Sequence, residues 1–527
     1  MTSPAEPLAN ASPGDVPRTI ASARPDAPAL IGNGRTVTYG ELDALSNQAA
    51  HAIQSLGLPD QSVISIMAGN SIDYVPVHFG AARTSHVLAH LSHRFTPKEL
   101  GHALELTRTR VFIGDGHAWP VYAGALPELK SPPRLLSMGG GAPSDADDFA
   151  SLMAGQPETD PGIPVRAADP ITILFTSGTT GLPKAAIANH RARIIASTAA
   201  AEDHPIAPDD VCAVTIPLCH AAGLYSWFTP IMVAGACAVI LEHWDPVKFM
   251  EAAETHGLTT AFVVPTQMAM LFDHPDFDPD RVSTLRQFIY GGAAATEELL
   301  ARAESALPGV RIVQAFGSTE SSHVLSQQPE ERAAKPGTLG KPGPRIEVGV
   351  FTAPGVPAEP GEEGELCTRG DHLFDRYMDN DEDTEAYFKS GDGWGWTGDL
   401  ATMDEDGVVT LIGRTKEVII SGGMNISPVE LENSIEDHPA VAACAAFGMP
   451  DEKWGELPAA AVVVRDGVKA TEDDILGHGA DRIASFKRLR RIVFVDALPL
   501  TASGKIKRAQ VKEDLAPLLA KEALASK

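Results

Sequence analysis

Short apolar runs alternate with helix-period segments along the first third of the chain. Ser62-Val63-Ile64-Ser65-Ile66-Met67 and Arg110-Val111-Phe112-Ile113-Gly114 read as strands, and Gly40 to Leu56 carries a helical pattern. The same rhythm returns between Val211 and Gln314, with strand-like runs at 212–216, 236–240, 260–264, 287–290 and 311–314. Strand–helix alternation predicts α/β layers with parallel sheets, here as two similar halves. The longest apolar stretch, Trp227 to Leu241, is interrupted by Pro230. It is shorter than the ~20 residues a membrane helix needs, so it reads as a buried helix passing into a strand.

From about Gly337 to Leu411 the texture changes to dense glycine, proline and charge, with short strands between turns. That pattern predicts an antiparallel sheet or a small barrel. After Gly413 a compact α+β unit is expected, with a helix over Pro428 to Glu436 and strands at Ala459 to Arg465 and Arg491 to Val495. The charged turn at Arg414–Glu417 is a suitable place for a hinge. Residues 1–19 are rich in Pro, Ala and Ser with no apolar core, and read as a disordered tail rather than a signal peptide.

Charge and cysteine content narrow the partners. There are 42 Lys and Arg against 69 Asp and Glu, a formal charge of −27. Such a surface repels nucleic acid and anionic membranes, so neither is an expected partner. An anionic ligand would then need local cations, which makes each lysine or arginine in a glycine loop more telling. The five cysteines are scattered and form no C-x-x-C pair, so neither a disulfide framework nor a zinc site is indicated. A reducing, cytoplasmic setting is the expectation.

The chemistry-bearing pattern begins after the strand-like run 171–175. Thr176-Ser177-Gly178-Thr179-Thr180-Gly181-Leu182-Pro183-Lys184 packs two glycines, four hydroxyls and a lysine into nine positions. Glycine lets backbone N–H groups approach an anion, and the lysine adds a point charge suited to phosphate. The Walker A spacing does not fit. Tyr290-Gly291-Gly292-Ala293 follows another strand, at the kind of position where open α/β sheets hold flat ligands. Ala315-Phe316-Gly317-Ser318-Thr319-Glu320 offers a ring for stacking, a hydroxyl for phosphate and a hard carboxylate suited to Mg²⁺. Glu320 could equally begin a helix and complement its dipole. Trp396-Thr397-Gly398-Asp399-Leu400 suits a ribose diol or an ordinary turn. Gly413-Arg414-Thr415-Lys416-Glu417 leads into Ser421-Gly422-Gly423-Met424-Asn425, and Ser503-Gly504-Lys505 lies on a basic loop that could also be plain solvated surface.

In joint order and spacing these motifs closely resemble the adenylate-forming superfamily of acyl-CoA synthetases, peptide-synthetase adenylation domains and firefly luciferase, over roughly residues 20–515. The resemblance implies an α/β protein with a large N-terminal domain of two α/β subdomains plus a small β-barrel-like subdomain (20–414), followed by a small mobile α+β C-terminal domain (415–527). It implies ATP, Mg²⁺ and coenzyme A, or a carrier-protein phosphopantetheine as the alternative acceptor, with a small-molecule carboxylic acid as substrate. The state would be monomer or homodimer.

By that resemblance Thr176, Ser177, Gly178, Thr179, Thr180, Gly181 and Lys184 hold the β- and γ-phosphates. Gly291, Gly292 and Ala293 flank adenine with Phe316, beside Gly317. Thr319 meets the α-phosphate, and Glu320 the Mg²⁺. Asp399 and Arg414 address ribose, and Lys416 is the hinge. Gly422 and Gly423 enter for thioester formation, Lys505 is the adenylation lysine and His220 the gating aromatic. Tyr225, Trp227, Thr266, Met268 and Val324, with Phe316, are the expected pocket wall. No arginine occurs in those segments, so an apolar monocarboxylic acid is favoured over a dicarboxylate. Several positions depart from the family pattern: Ala185-Ala186 after the lysine, Phe316 in place of tyrosine, the histidine-rich stretch 85–94, and Ser485 to Leu489 without the proline many relatives carry.

Overall fold

The computed structural model describes residues 12–176, 182–415, 417–422, 424–451, 453–480, 482–485, 487–500 and 506–525. They form two compact units. One comprises the chain up to Val348 together with Thr368–Gly395; the other comprises Gly349–Cys367 and the chain from Trp396 onward.

The first unit is built on two mixed sheets. An eight-stranded sheet runs in the order Arg376–Tyr377, Lys184–Asn189, Pro170–Thr176, Val87–His90, Val63–Met67, Val111–Gly114, Arg134–Ser137, Asp147–Asp148. A nine-stranded sheet runs Lys341–Pro342, Ser322–Gln327, Arg311–Ser318, Gln287–Gly291, Thr260–Val263, Val211–Val214, Cys237–Ile240, Pro28–Gly32, Arg35–Thr38. The central pairings are parallel, as the strand–helix rhythm predicts. Near one side of each sheet an antiparallel hairpin is added, Pro170–Thr176 with Lys184–Asn189 and Arg311–Ser318 with Ser322–Gln327. The glycine-rich and Thr-Glu motifs sit in the connections of these two hairpins.

Strand residues alternate between faces, and the nine-stranded sheet shows this in its two cores. Phe262, Ile289 and Val313 join Tyr225 and Trp227 in one cluster. Val263, Phe288 and Ile312 join Met268 in the other. The Trp227–Leu241 stretch behaves as expected. It passes from the helix Thr229–Ala234 through Gly235, at φ 73°, into the strand Cys237–Ile240. Helix Tyr39–Ser55 is opened by a Thr38–Glu41 capping box, and it lies close to helix Tyr74–Ala81. A Cβ on Gly80 would fall 2.6 Å from the Ala49 Cβ, so that contact requires glycine. No helix among the described residues is long and apolar enough to cross a membrane.

In the second unit the turn-rich stretch forms a five-stranded sheet with antiparallel pairings at both ends of its strand order. The C-terminal α+β unit pairs Val441–Asp451 with Gly455–Val464, adds Arg491–Phe494 in parallel, and packs Leu431, Ile435 and Ile475 on the sheet.

The expected disordered tail needs correction over residues 12–19. Ser12 caps the short turn Pro13–Asp15, and Val16–Ala23 is helical with Val16 fully buried. The reason is long-range and invisible to local composition. Arg83, buried in the first unit, donates to the Gly14 carbonyl at 2.8 Å and to Asn47 Oδ1 at 2.6 Å, and forms an ion pair with the Asp43 carboxylate at 2.6 Å. Residues 1–11 lie outside the described residues. Removing one member of a buried ion pair leaves the other uncompensated. Arg83→Ala is therefore expected to cost about 3 kcal/mol in urea denaturation and to release amide-exchange protection over residues 12–23. Unchanged protection there would contradict this account.

Candidate active site

The glycine-rich loop connects two antiparallel strands, with Thr176 directly opposite Lys184 in the register. Ser177, Gly178, Thr179, Thr180 and Gly181 lie outside the described residues. Lys184 is described and its side chain is 16% exposed, with Nζ 2.5 Å from Asp383 Oδ2. The ammonium also lies 5.6 Å from the centre of the Tyr377 ring. Tyr377 stands on the short strand Arg376–Tyr377, hydrogen-bonded alongside the lysine's own strand.

The Tyr377 hydroxyl donates to Glu320 Oε1 at 2.6 Å. Burial, reinforced by the Glu320 charge, pushes the phenol well above its ordinary pKa. It is thus a permanent donor. The Phe374 N–H donates to the Glu320 carbonyl at 2.7 Å, and the Phe374 ring packs edge-on to Tyr377 with centroids 4.8 Å apart. So the lysine that ends the glycine-rich motif and the Thr-Glu carboxylate, far apart in sequence, meet on two sides of one tyrosine.

Glu320 lies in the turn between strands Arg311–Ser318 and Ser322–Gln327. No helix starts there, which removes the helix-dipole reading. The hairpin is irregular, with a register shift after Phe316 and Ser322 at φ 57°. A Cβ on Gly317 would collide with the Ser322 carbonyl, so this close approach requires glycine. Arg193, fully buried, donates to Ser322 Oγ at 2.6 Å and to the Thr319 carbonyl at 3.5 Å. The carboxylate itself is partly exposed, with one oxygen fixed by Tyr377. A hard, anchored, accessible carboxylate suits Mg²⁺, which takes one or two carboxylates with phosphate and water completing its shell.

The Gly-Gly motif closes the strand Gln287–Gly291. A Cβ on Gly291 would sit 2.6 Å from the Ala315 carbonyl, and Gly292 is at φ 81°. Gly292 and Ala293 are exposed, so they present bare backbone at the strand end. Phe316 is half-buried opposite Leu325. His220 is half-buried just before the short helical turn Ala221–Gly223.

Within the second unit, Asp399 and Arg414 face each other across paired strands. Arg414 Nε lies 2.8 Å from Asp399 Oδ1, with the aspartate side chain 5% and the arginine 53% exposed. Gly422 is at φ 60°, and its N–H donates to the Trp454 carbonyl at 2.8 Å. Lys416, Gly423 and Lys505 lie outside the described residues. Leu500 and Ile506 pair as an antiparallel bridge at the base of the loop that carries Lys505.

Of the expected pocket wall, Met268 is separated from Tyr225 and Trp227. Tyr225 and Trp227 belong to the core on one face of the nine-stranded sheet, and Met268 to the core on the other. Thr266 is exposed, and Val324 is buried in its strand. Trp227 is fully buried with its indole N–H on the Ala213 carbonyl at 2.7 Å, a packing role. No arginine occurs in the wall segments themselves, but one reaches Tyr225 from outside them. Arg193, from helix His190–Asp203, places its guanidinium 5.1 Å from the Tyr225 ring centre. The residues the sequence reading missed are Tyr377, Asp383 and Arg193. Each acts through a partner dozens of positions away, so no local spacing marks it.

Comparison with known proteins settles the family. A family model of AMP-binding enzymes matches residues 18–378, and the model of the AMP-binding enzyme C-terminal domain matches 430–505. The chain belongs to the AMP-binding enzyme family. It is an adenylate-forming acid–thiol ligase that uses ATP, with a large N-terminal and a small C-terminal domain. It is 31% identical over 494 residues to 4-coumarate–CoA ligase 5 of Oryza sativa subsp. japonica, covering 92% of this chain and 90% of the relative. It is 32% identical to the fatty acid–[acyl-carrier-protein] ligase ScoC of Streptomyces coeruleorubidus, covering 94% of each. The crystal structure of ATP-bound MatB from Rhodopseudomonas palustris is similar, with a TM-score of 0.87 at 25% identity, covering 97% of this chain and 99% of that one.

Tyr377→Phe tests the role of the shared tyrosine. Losing a hydrogen bond to a charged group costs about 1.5–3 kcal/mol, so kcat/KM for ATP should fall roughly ten- to hundredfold. Pyrophosphate release at saturating acid is the assay. An unchanged value would make Tyr377 a packing residue.

Proposed function

We propose that the chain is an acyl-CoA synthetase that activates an apolar monocarboxylic acid, aliphatic, alicyclic or aromatic. The observation that carries this reading is the convergence of Lys184 and Glu320 on Tyr377. In the first half-reaction a carboxylate oxygen of the acid attacks the α-phosphorus of ATP and pyrophosphate leaves. In the second, the thiol of coenzyme A attacks the acyl carbon and AMP leaves.

Negative charge builds on phosphorus and on the departing pyrophosphate, and fixed positive charge supplies the stabilisation. Lys184 leaves Asp383 for the β- or γ-phosphate, and the 176–184 backbone adds N–H donors. Asp383 keeps a hydrogen bond from Asn380 Nδ2 at 2.6 Å, so it is not abandoned. Glu320 holds Mg²⁺, which when bound neutralises phosphate charge. Thr319 faces the α-phosphate, Gly291–Ala293 and Phe316 take the adenine, and Asp399 with Arg414 takes the ribose. Lys505 completes the adenylation site, and Gly422 with Gly423 serves the thiol step. His220 gates the carboxylate and Lys416 is the hinge.

A monocarboxylate is favoured because Arg193 is committed to Ser322 and Thr319 rather than open to a second carboxylate. The likeness to a coumarate ligase supports an aromatic acid. The similarity to ScoC favours a second reading, in which the acceptor is a carrier-protein phosphopantetheine.

The test is pyrophosphate release over a panel of acids, followed by coenzyme A or a holo carrier protein as acceptor. Apolar monocarboxylates should outpace dicarboxylates, and coenzyme A should be the better acceptor. Preference for a dicarboxylate would overturn the substrate class.

Two substitutions test the site. Glu320→Gln keeps the shape and removes the charge. Activity should fall sharply and the Mg²⁺ titration should shift to higher concentration; an unmoved titration would remove Glu320 from metal binding. Lys505→Ala should nearly abolish acyl-adenylate formation while thioester formation from supplied acyl-adenylate survives. Equal loss of both halves in folded protein would refute its assignment.

A further inference from the structure

Away from the adenylation motifs, one buried cluster has no part in the chemistry above. Helix His190–Asp203 ends on Asp203, and His204 follows it directly. His323 reaches the pair from strand Ser322–Gln327. Its Nε2 lies 2.5 Å from Asp203 Oδ2, and its ring stands 4.7 Å from that of His204 at 60°. One ligand atom from each of the three residues lies within 4.8 Å of the others.

His204 is the informative member. It is fully buried, and neither ring nitrogen has a hydrogen-bond partner. A histidine that merely fills core space is expected to satisfy at least one nitrogen, because a buried unpaired polar atom is costly. Burial holds this imidazole neutral, with its pKa pushed down to about 3, and the neutral ring is the ligating form. Burial of Asp203 would raise its carboxyl, but its hydrogen bond with His323 holds it below the usual range, so it is ionised. The neighbouring Glu202 is occupied by Arg345 at 2.7 Å and does not compete.

We propose that Asp203, His204 and His323 form a divalent transition-metal site, with zinc the favoured ion. Two imidazoles and one carboxylate suit Zn²⁺ and disfavour Mg²⁺, which prefers oxygen ligands. Tetrahedral coordination places ligand atoms about 3.4 Å apart. Binding therefore lengthens the Asp203–His323 contact and draws His204 inward, with water completing the shell. The ion would fasten the end of a long helix to the strand that follows the Glu320 turn. It is separate from the Mg²⁺ site, whose carboxylate is not among these three.

The test uses untagged full-length protein, stripped with chelator, loaded with Zn²⁺ in the absence of ATP and desalted. About one zinc per chain should be retained in the wild type, and Co²⁺ loading should give visible d–d absorption bands. Zn²⁺ should also raise the wild-type Tm by several degrees. His204→Gln removes one ligand without breaking any side-chain hydrogen bond, so folding should persist while retained zinc falls at least tenfold and the Tm rise disappears. Asp203→Asn should weaken retention in the same direction. Equal zinc retention in wild type and His204→Gln, or no Zn²⁺-dependent Tm rise in the wild type, would overturn the site and leave an Asp–His pair beside a packed imidazole.

Discussion

A strongly acidic chain that binds a polyphosphate must hold a few cations where the phosphates go, with any carboxylate paired to them displaceable by phosphate. In the site proposed for the first unit this constraint would be met through Tyr377. Its ring faces the Lys184 ammonium, and its hydroxyl anchors the Glu320 carboxylate. The two charges are thus positioned through an intervening phenol rather than by pairing with each other. The lysine is paired with Asp383, a surrogate anion that phosphate can displace. Placement of Tyr377 depends in turn on a two-residue strand and on the Phe374 ring beside it.

Both hairpins that carry the proposed site are antiparallel additions to mainly parallel sheets. A parallel strand must cross over through a long connection, whereas a hairpin returns at once. That explains why the glycine-rich loop needs no helix after it, unlike phosphate loops of the strand–helix kind. The ladder registers Thr176 against Lys184, and Arg193 reaches the second turn through Ser322.

Much of this was legible in the sequence. The runs at 62–67, 110–114, 260–264 and 287–290 emerged as strands to within one residue at either end, because strands buried on both faces are continuously apolar. The motif order fixed the family. What local pattern could not show were contacts across long separations. Residues 12–19 look polar and proline-rich, yet Arg83 ties them down. Met268 is expected in one wall with Trp227, yet it packs in the core on the other face of the nine-stranded sheet. Tyr377 and Arg193 lie in stretches without any motif, and their importance appears only when their partners are known.

The central claim is that Glu320 and Lys184 form the metal and phosphate ends of one ATP site. It is tested most directly by a crystal structure of the chain with ATP and Mn²⁺ in place of Mg²⁺. The account predicts an anomalous peak about 2 Å from a Glu320 carboxylate oxygen, with Lys184 Nζ turned from Asp383 onto a β- or γ-phosphate oxygen. A metal peak remote from Glu320, or bound triphosphate with Lys184 still on Asp383, would contradict it.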